Sequence, residues 1–189
     1  MSRLKNRTRW IEAGFELFAH EGHEGIQVER LARILELNKS GFYHYFGTIE
    51  NYLKALMRHI SKQADMIIAE TKASKSFDPD FLNVLIRNKL TIMATMQLVR
   101  NRNVPVFKES FREVTQKIDN ALLPLWSVHI GVTKNPPLAL RYFEMIRDMF
   151  FARITFDALH YDFLHAMATE AKSIIQELTK DIEIIKKQE

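Results

Sequence analysis

The sequence predicts an all-α protein, in which a three-helix helix-turn-helix module at the N-terminus joins a larger helical domain. Three observations carry this expectation. Apolar residues recur at helical spacing in Trp10, Gly14, Leu17 and Phe18, then Val28, Leu31, Ala32 and Leu35, then Ile49, Leu53, Leu56 and Ile60. No segment alternates as a half-buried strand would. Breakers fall at Gly22 to Gly25, Glu36 to Asn38, Gly47-Thr48, Ser74 to Pro79, Arg100 to Pro105 and Gly131 to Pro137, and leave about nine helices, the first three short and the later ones long.

Each element has a local reason. The first helix runs from a basic N-terminus to the glycines that stop it. Val28 to Leu35 forms a short amphipathic helix and Glu36-Leu37 a tight turn. Asn38 then suits the N-cap of a third helix, because its side-chain oxygen accepts from an otherwise unpaired amide. Two short helices across such a turn make a helix-turn-helix. The change from short to long helices predicts a small N-terminal module over 1–47 joined to a larger all-helical domain over 48–189. Thr48 suits the cap of the fourth helix and Glu50 its positive end. A later helix, Leu138 to Tyr161, is apolar on most sides. From Met167 onward, Ala171, Ile174, Leu178, Ile182 and Ile185 form one stripe, with Lys172, Glu177, Lys180 and Lys187 on other sides.

Composition bounds the function. A chain of 189 residues with 47% hydrophobic content can bury a core, and a formal charge of +4 with pI near 9.3 permits a polyanionic partner. The absence of cysteine excludes disulfides, thiolate metal sites and thiol nucleophiles. Glutamates at 12 and 16 interrupt what would be the apolar part of a signal peptide, and the longest uncharged run, Asn120 to Thr133, is too short to span a bilayer. The expectation is a cytoplasmic protein without membrane partner or cofactor.

The stretch NKSGFYHYF, Asn38 to Phe46, places a glycine inside a short helix, where it costs about 1 kcal/mol relative to alanine. At about 100° per residue, Phe42 and Phe46 share the inward face, while Ser40, Gly41 and His44 point outward, flanked by Tyr43 and Lys39. The missing side chain thus lies where a groove-bound helix needs its backbone close to DNA, among donors suited to phosphates and base edges. No acidic residue occurs from Leu37 to Thr48, and Arg3, Lys5, Arg7 and Arg9 add positive charge nearby in sequence.

Other readings compete. Asp157-Ala-Leu-His160 and Asp162-Phe-Leu-His165 have the carboxylate-x-x-His spacing of helical di-metal sites, but in one continuous helix the pairs diverge by about 140°. A metal or catalytic role is therefore not expected. A helical adaptor acting by protein contact, without operator binding, is the alternative.

The run from Ile11 to Leu53 resembles the N-terminal DNA-binding domain of the TetR family of bacterial transcriptional regulators. The resemblance rests on AGFELFAHEG (Ala13 to Gly22), on the Leu31-Ala32 pair, and on Lys39-Ser40-Gly41-Phe42-Tyr43-His44-Tyr45-Phe46 where the family commonly reads Lys-Gly-Thr-Leu-Tyr-His-Tyr-Phe after a serine. It covers about a quarter of the chain. It implies that Lys39, Ser40, Gly41, Tyr43 and His44 face DNA, with Gln27 near a phosphate, and that Phe42 and Phe46 are scaffold. Three departures stand out: Glu36 where the family usually has the turn glycine, Gln27 for a common Thr cap, and Ile49 for a common Lys. The resemblance further implies a repressor that binds a palindromic operator as a homodimer. Its interface would be a four-helix bundle made from 138–161 and 167–187 of each chain.

A small, mostly apolar ligand carrying an acidic group is expected in the C-terminal domain. The reasons are the abundant Met and Phe side chains beside several arginines. Met57, Ile60, Met96, Phe107, Phe111 and Trp126 are the candidate lining.

Overall fold

The computed structural model describes residues 2–186, with side chains described for 5–179. Among these residues the chain is helical throughout and has no strand. The helices are α1 (Ser2–Glu21), α2 (Val28–Leu35), α3 (Lys39–Phe46), α4 (Ile49–Ala73), α5 (Leu82–Arg87), α6 (Lys89–Arg100), α7 (Pro105–Ile130), α8 (Pro136–Arg153) and α9 (Tyr161–Lys186). A 3₁₀ turn, His23–Gly25, links α1 to α2, and a wide helical turn, Phe77–Phe81, leads into α5.

Two compact units result. The first comprises the chain up to Met66 together with Leu90–Thr115. Its core is aromatic: Trp10 and Phe42 meet edge to face at 5.4 Å, and Tyr52 packs on Phe42 at 5.0 Å and on Phe46 at 4.9 Å. Burying each such side chain contributes on the order of 2 kcal/mol. Gly14 makes room for this arrangement, because a Cβ there would lie 1.7 Å from the Tyr52 hydroxyl, which donates to the Trp10 carbonyl at 2.8 Å. Phe107, at the start of α7, packs on Phe18 at 5.5 Å and on His23 at 5.7 Å, so the first turns of α7 belong to this unit.

The second unit comprises Ile67–Lys89 and the chain from Gln116 onward. Trp126 sits among Phe77, His129 and Phe143, and its indole N–H donates to the Ala139 carbonyl at 3.0 Å. Asp78 accepts from the Tyr161 hydroxyl at 2.8 Å and pairs with His165 at 2.6 Å. Arg147 of α8 pairs with Asp119 of α7, both largely buried.

Several expected boundaries move. The helix expected over Leu138 to Tyr161 ends at Arg153: Ile154 adopts an extended conformation and is buried, and the Thr155 hydroxyl accepts from the Ala158 amide at 3.1 Å. A β-branched pair with a local side-chain acceptor stops the helix without glycine or proline. The last helix begins at Tyr161, a full turn and more before Met167. A break at Asn88 was not expected either. There the Asn88 side chain donates to the Val84 carbonyl at 2.9 Å and to Glu70 at 3.2 Å. Asp157 and His160 therefore lie in a turn, not in a helix with Asp162 and His165.

Candidate nucleic-acid interface

The turn between α2 and α3 is built as its residues dictate. Glu36 ends α2 in the left-handed conformation, at φ 54° and ψ 41°, and its amide bonds back to α2. A side chain there costs about 1 to 2 kcal/mol, which is why a glycine is common at such a position. The Leu37 amide closes the turn on the Ala32 carbonyl at 2.9 Å. Asn38 then caps α3 as expected, its side-chain oxygen accepting from the Ser40 amide at 3.0 Å. Gly47 ends α3 with φ 72°, and the Thr48 hydroxyl accepts from the Asn51 amide at 3.3 Å to open α4. That same hydroxyl bonds Glu50 and holds its carboxyl below the usual carboxylate range.

The faces of α3 separate cleanly. Phe42 and Phe46 are buried, whereas Lys39, Ser40, Tyr43 and His44 are exposed or, for His44, face outward beside Tyr45, and Tyr43 has half of its surface open. Gly41 lies between them, and a Cβ placed on it would meet nothing within 4 Å. No packing inside the protein requires this glycine, in contrast to Gly14. Gln27 occupies the N-cap position of α2 and is exposed, but its side chain makes no capping bond. In the first turn of α2 the Glu29 carboxylate bonds its own amide.

The surrounding cations are partly committed. Lys39 pairs with Glu29 of α2 at 3.0 Å. Arg9 donates to the Leu35 carbonyl at 3.0 Å, at the C-terminal end of α2, and Arg7 lies over the Phe46 ring at 5.2 Å. Both arginines fasten α1 to the helix-turn-helix. Lys5 is exposed, and Arg3 lies outside the described side chains. Glu29 was missed by sequence reasoning: ten residues from Lys39, it follows no helical period, and only the turn brings the two together.

The expected ligand-lining residues divide between the units. Met57, Ile60, Met96 and Phe107 are buried and Phe111 half-buried in the first, and Trp126 is buried in the second. The α9 stripe divides as well. Ala171 is buried, as is nearby Ile175, whereas Ile174 and Leu178 are each 46% exposed. Ile182, Ile185, Lys180 and Lys187 lie outside the described side chains. Among the described residues no cluster of three or more His, Cys, Asp or Glu side chains is placed to hold a metal ion, and no helix is long and apolar enough to cross a membrane.

Residues 11–56 match the profile of the bacterial regulatory proteins of the tetR family. The fold is similar to that of the TetR-family regulator PfmR from Thermus thermophilus, with a TM-score of 0.58 and 18% identity over 90% of this chain and 94% of that one. A transcriptional regulator from Aquifex aeolicus gives a TM-score of 0.54 and 22% identity, covering 93% of this chain and 98% of its own. A protein of Mesorhizobium loti, described as a TetR-family transcriptional regulator, gives 0.62 and 14% identity over 94% and 98%. No curated protein matches the sequence.

Proposed function

We propose that this chain, a tetR-family regulator by its residues 11–56 and its fold, is a repressor that binds a palindromic operator as a homodimer and responds to a small ligand. The observation that carries the DNA half is Gly41. It is a helix-interior glycine with open space where its side chain would be, ringed by Lys39, Ser40, Tyr43 and His44. A groove-bound helix puts the DNA backbone into that space, and the hydroxyl, phenol, imidazole and ammonium groups supply donors to phosphates and base edges. Gln27, exposed at the start of α2, is placed to donate to a phosphate.

A single α3 touches too few base pairs for a useful specificity ratio, so two copies on a symmetric site are needed. The pairing surface proposed is α8 with α9. Ile174 and Leu178 on α9 and Met145 on α8 are large apolar side chains left in solvent, which supports this placement. We place the ligand, a mostly apolar molecule with an acidic group, against Met57, Ile60, Met96, Phe107 and Phe111 of the first unit. Met and Phe repack readily there. Trp126 in the second unit serves as a fluorescence reporter of any change that reaches it.

The test is a gel shift on the promoter region of its own gene across a salt series. Retarded bands that weaken steeply with salt, and a footprint with two-fold symmetry, are expected. Binding no tighter than to random duplex would end the operator assignment. Aliphatic and aromatic carboxylates added to the complex should then shift its affinity by about 5 to 150-fold if one of them fits the ligand site.

A further inference from the structure

Lys39 is the one lysine or arginine between Leu37 and Thr48, so it supplies the whole formal charge of the recognition helix. In the structure that charge is cancelled. The Lys39 ammonium lies 3.0 Å from Glu29 of α2, both side chains more than half exposed. The neighbouring Arg30 does not neutralise Glu29 instead, because Glu21 of α1 holds its guanidinium through both terminal nitrogens. The two charges at the start of α2 are thus divided: Arg30 goes to α1, and Glu29 goes to α3.

We propose that Glu29 is a positioning residue that sets the specificity of the DNA interface, holding Lys39 until a correctly placed phosphate or base edge competes for it. This rests on the reading above that α3 enters DNA. Non-specific binding is almost wholly a matter of phosphate neutralisation, so pairing the one cation of α3 with an acid lowers affinity for any duplex. A matched site loses less. There the groove aligns an acceptor with Lys39, and an exposed ion pair is weak enough to exchange for it. Glu29 left behind then faces a polyanion, which penalises every site that does not offer Lys39 a good partner.

The experiment compares wild-type protein, Glu29→Gln, Lys39→Met and the double variant on operator and random duplexes of equal length, across a salt series. Glu16→Gln, an exposed position on α1, provides the same charge change elsewhere. Glu29→Gln should bind random duplex about five to tenfold more tightly at about 0.1 M salt and steepen the salt slope by about 0.9, as one more neutralised phosphate does. Its ratio of operator to random affinity should fall. In the Lys39→Met background the same change should leave the ratio unchanged, because only the repulsion between Glu29 and any duplex remains to be relieved. In the free protein, Lys39→Met should raise the titration midpoint of the Glu29 carboxyl followed by NMR, since the Lys39 hydrogen bond is the leading cause that lowers it. An unchanged slope and ratio in Glu29→Gln, an equal effect from Glu16→Gln, or a fall in the ratio that persists without Lys39 would each overturn the inference while operator binding stands. Wild-type protein that binds no duplex at any salt would overturn the functional reading itself.

Discussion

Two glycines in helix interiors carry opposite meanings, and the difference lies in what surrounds them. Gly14 is needed by the fold. Alanine there drives a methyl group into the Tyr52 hydroxyl, so Gly14→Ala should destabilise the protein by about 1 to 3 kcal/mol in urea unfolding. Tyr52→Phe removes the nearer of the two atoms in the way and leaves the ring carbon at 2.8 Å, so the two changes together should cost less than their sum; strict additivity would show that the clash with the hydroxyl is not the cause. Gly41 has nothing to collide with. Gly41→Ala should therefore raise stability, by up to about 1 kcal/mol, while weakening operator binding by about tenfold or more. A variant that is more stable and binds as well as wild type would remove the reason given for this glycine.

At the scale of elements, the turn between α2 and α3 carries its strain at one residue. Glu36 is the only non-glycine residue with positive φ among those described. Glu36→Gly should relieve the crowding of its Cβ, offset in part by the greater freedom of glycine in the unfolded chain, for a net gain of about 0.5 to 1 kcal/mol. Thermal unfolding of the two proteins side by side checks this, and a lower midpoint for the glycine variant would refute it. The α9 helix makes the second element-level prediction. Ile174→Glu with Leu178→Glu places two charges on its exposed apolar side chains, which should leave a folded monomer that no longer retards operator DNA. A dimer by light scattering would move the interface elsewhere.

For the whole molecule, acid sensitivity should come from histidines in both units. His59, in the first, lies edge to face with Phe15, and His129, in the second, is stacked on Phe77. Burial is the leading cause that holds each below its ordinary value of 6.5; Glu12 opposes the shift at His59 and the Ala168 carbonyl opposes it at His129. The unfolded chain therefore takes up these protons at a higher pH than the folded one. Their contribution to stability is complete above about pH 6.5 and is lost as pH falls toward the lower folded values. Unfolding midpoints should drop as pH falls below about 6.5, and His59→Gln with His129→Gln should flatten that part of the curve. If the double variant keeps the full slope, other groups are responsible.

The helix-turn-helix was legible in the sequence because local rules decide it. Asn38 caps, Phe42 and Phe46 sit one turn apart, and Gly47 ends the helix, all through contacts between near neighbours in the chain. The outward set of Lys39, Ser40, Gly41, Tyr43 and His44 follows from that same period. The stop at Ile154 was not legible, since no breaker marks it and the deciding facts are the burial of Ile154 and a hydroxyl turned onto a nearby amide. Nor was the division of the α9 stripe. One helical period describes Ala171, Ile174 and Leu178 alike, and only packing turns Ala171 inward and leaves the other two in solvent. The sequence by itself determined which residues form α2 and α3 and which face of α3 is polar, because those depend on spacing along the chain. Tertiary structure alone decided that Gly14 answers to Tyr52, that Lys39 answers to Glu29, and that Phe107 packs beside Phe18, because each joins residues whose meeting depends on how separate helices pack.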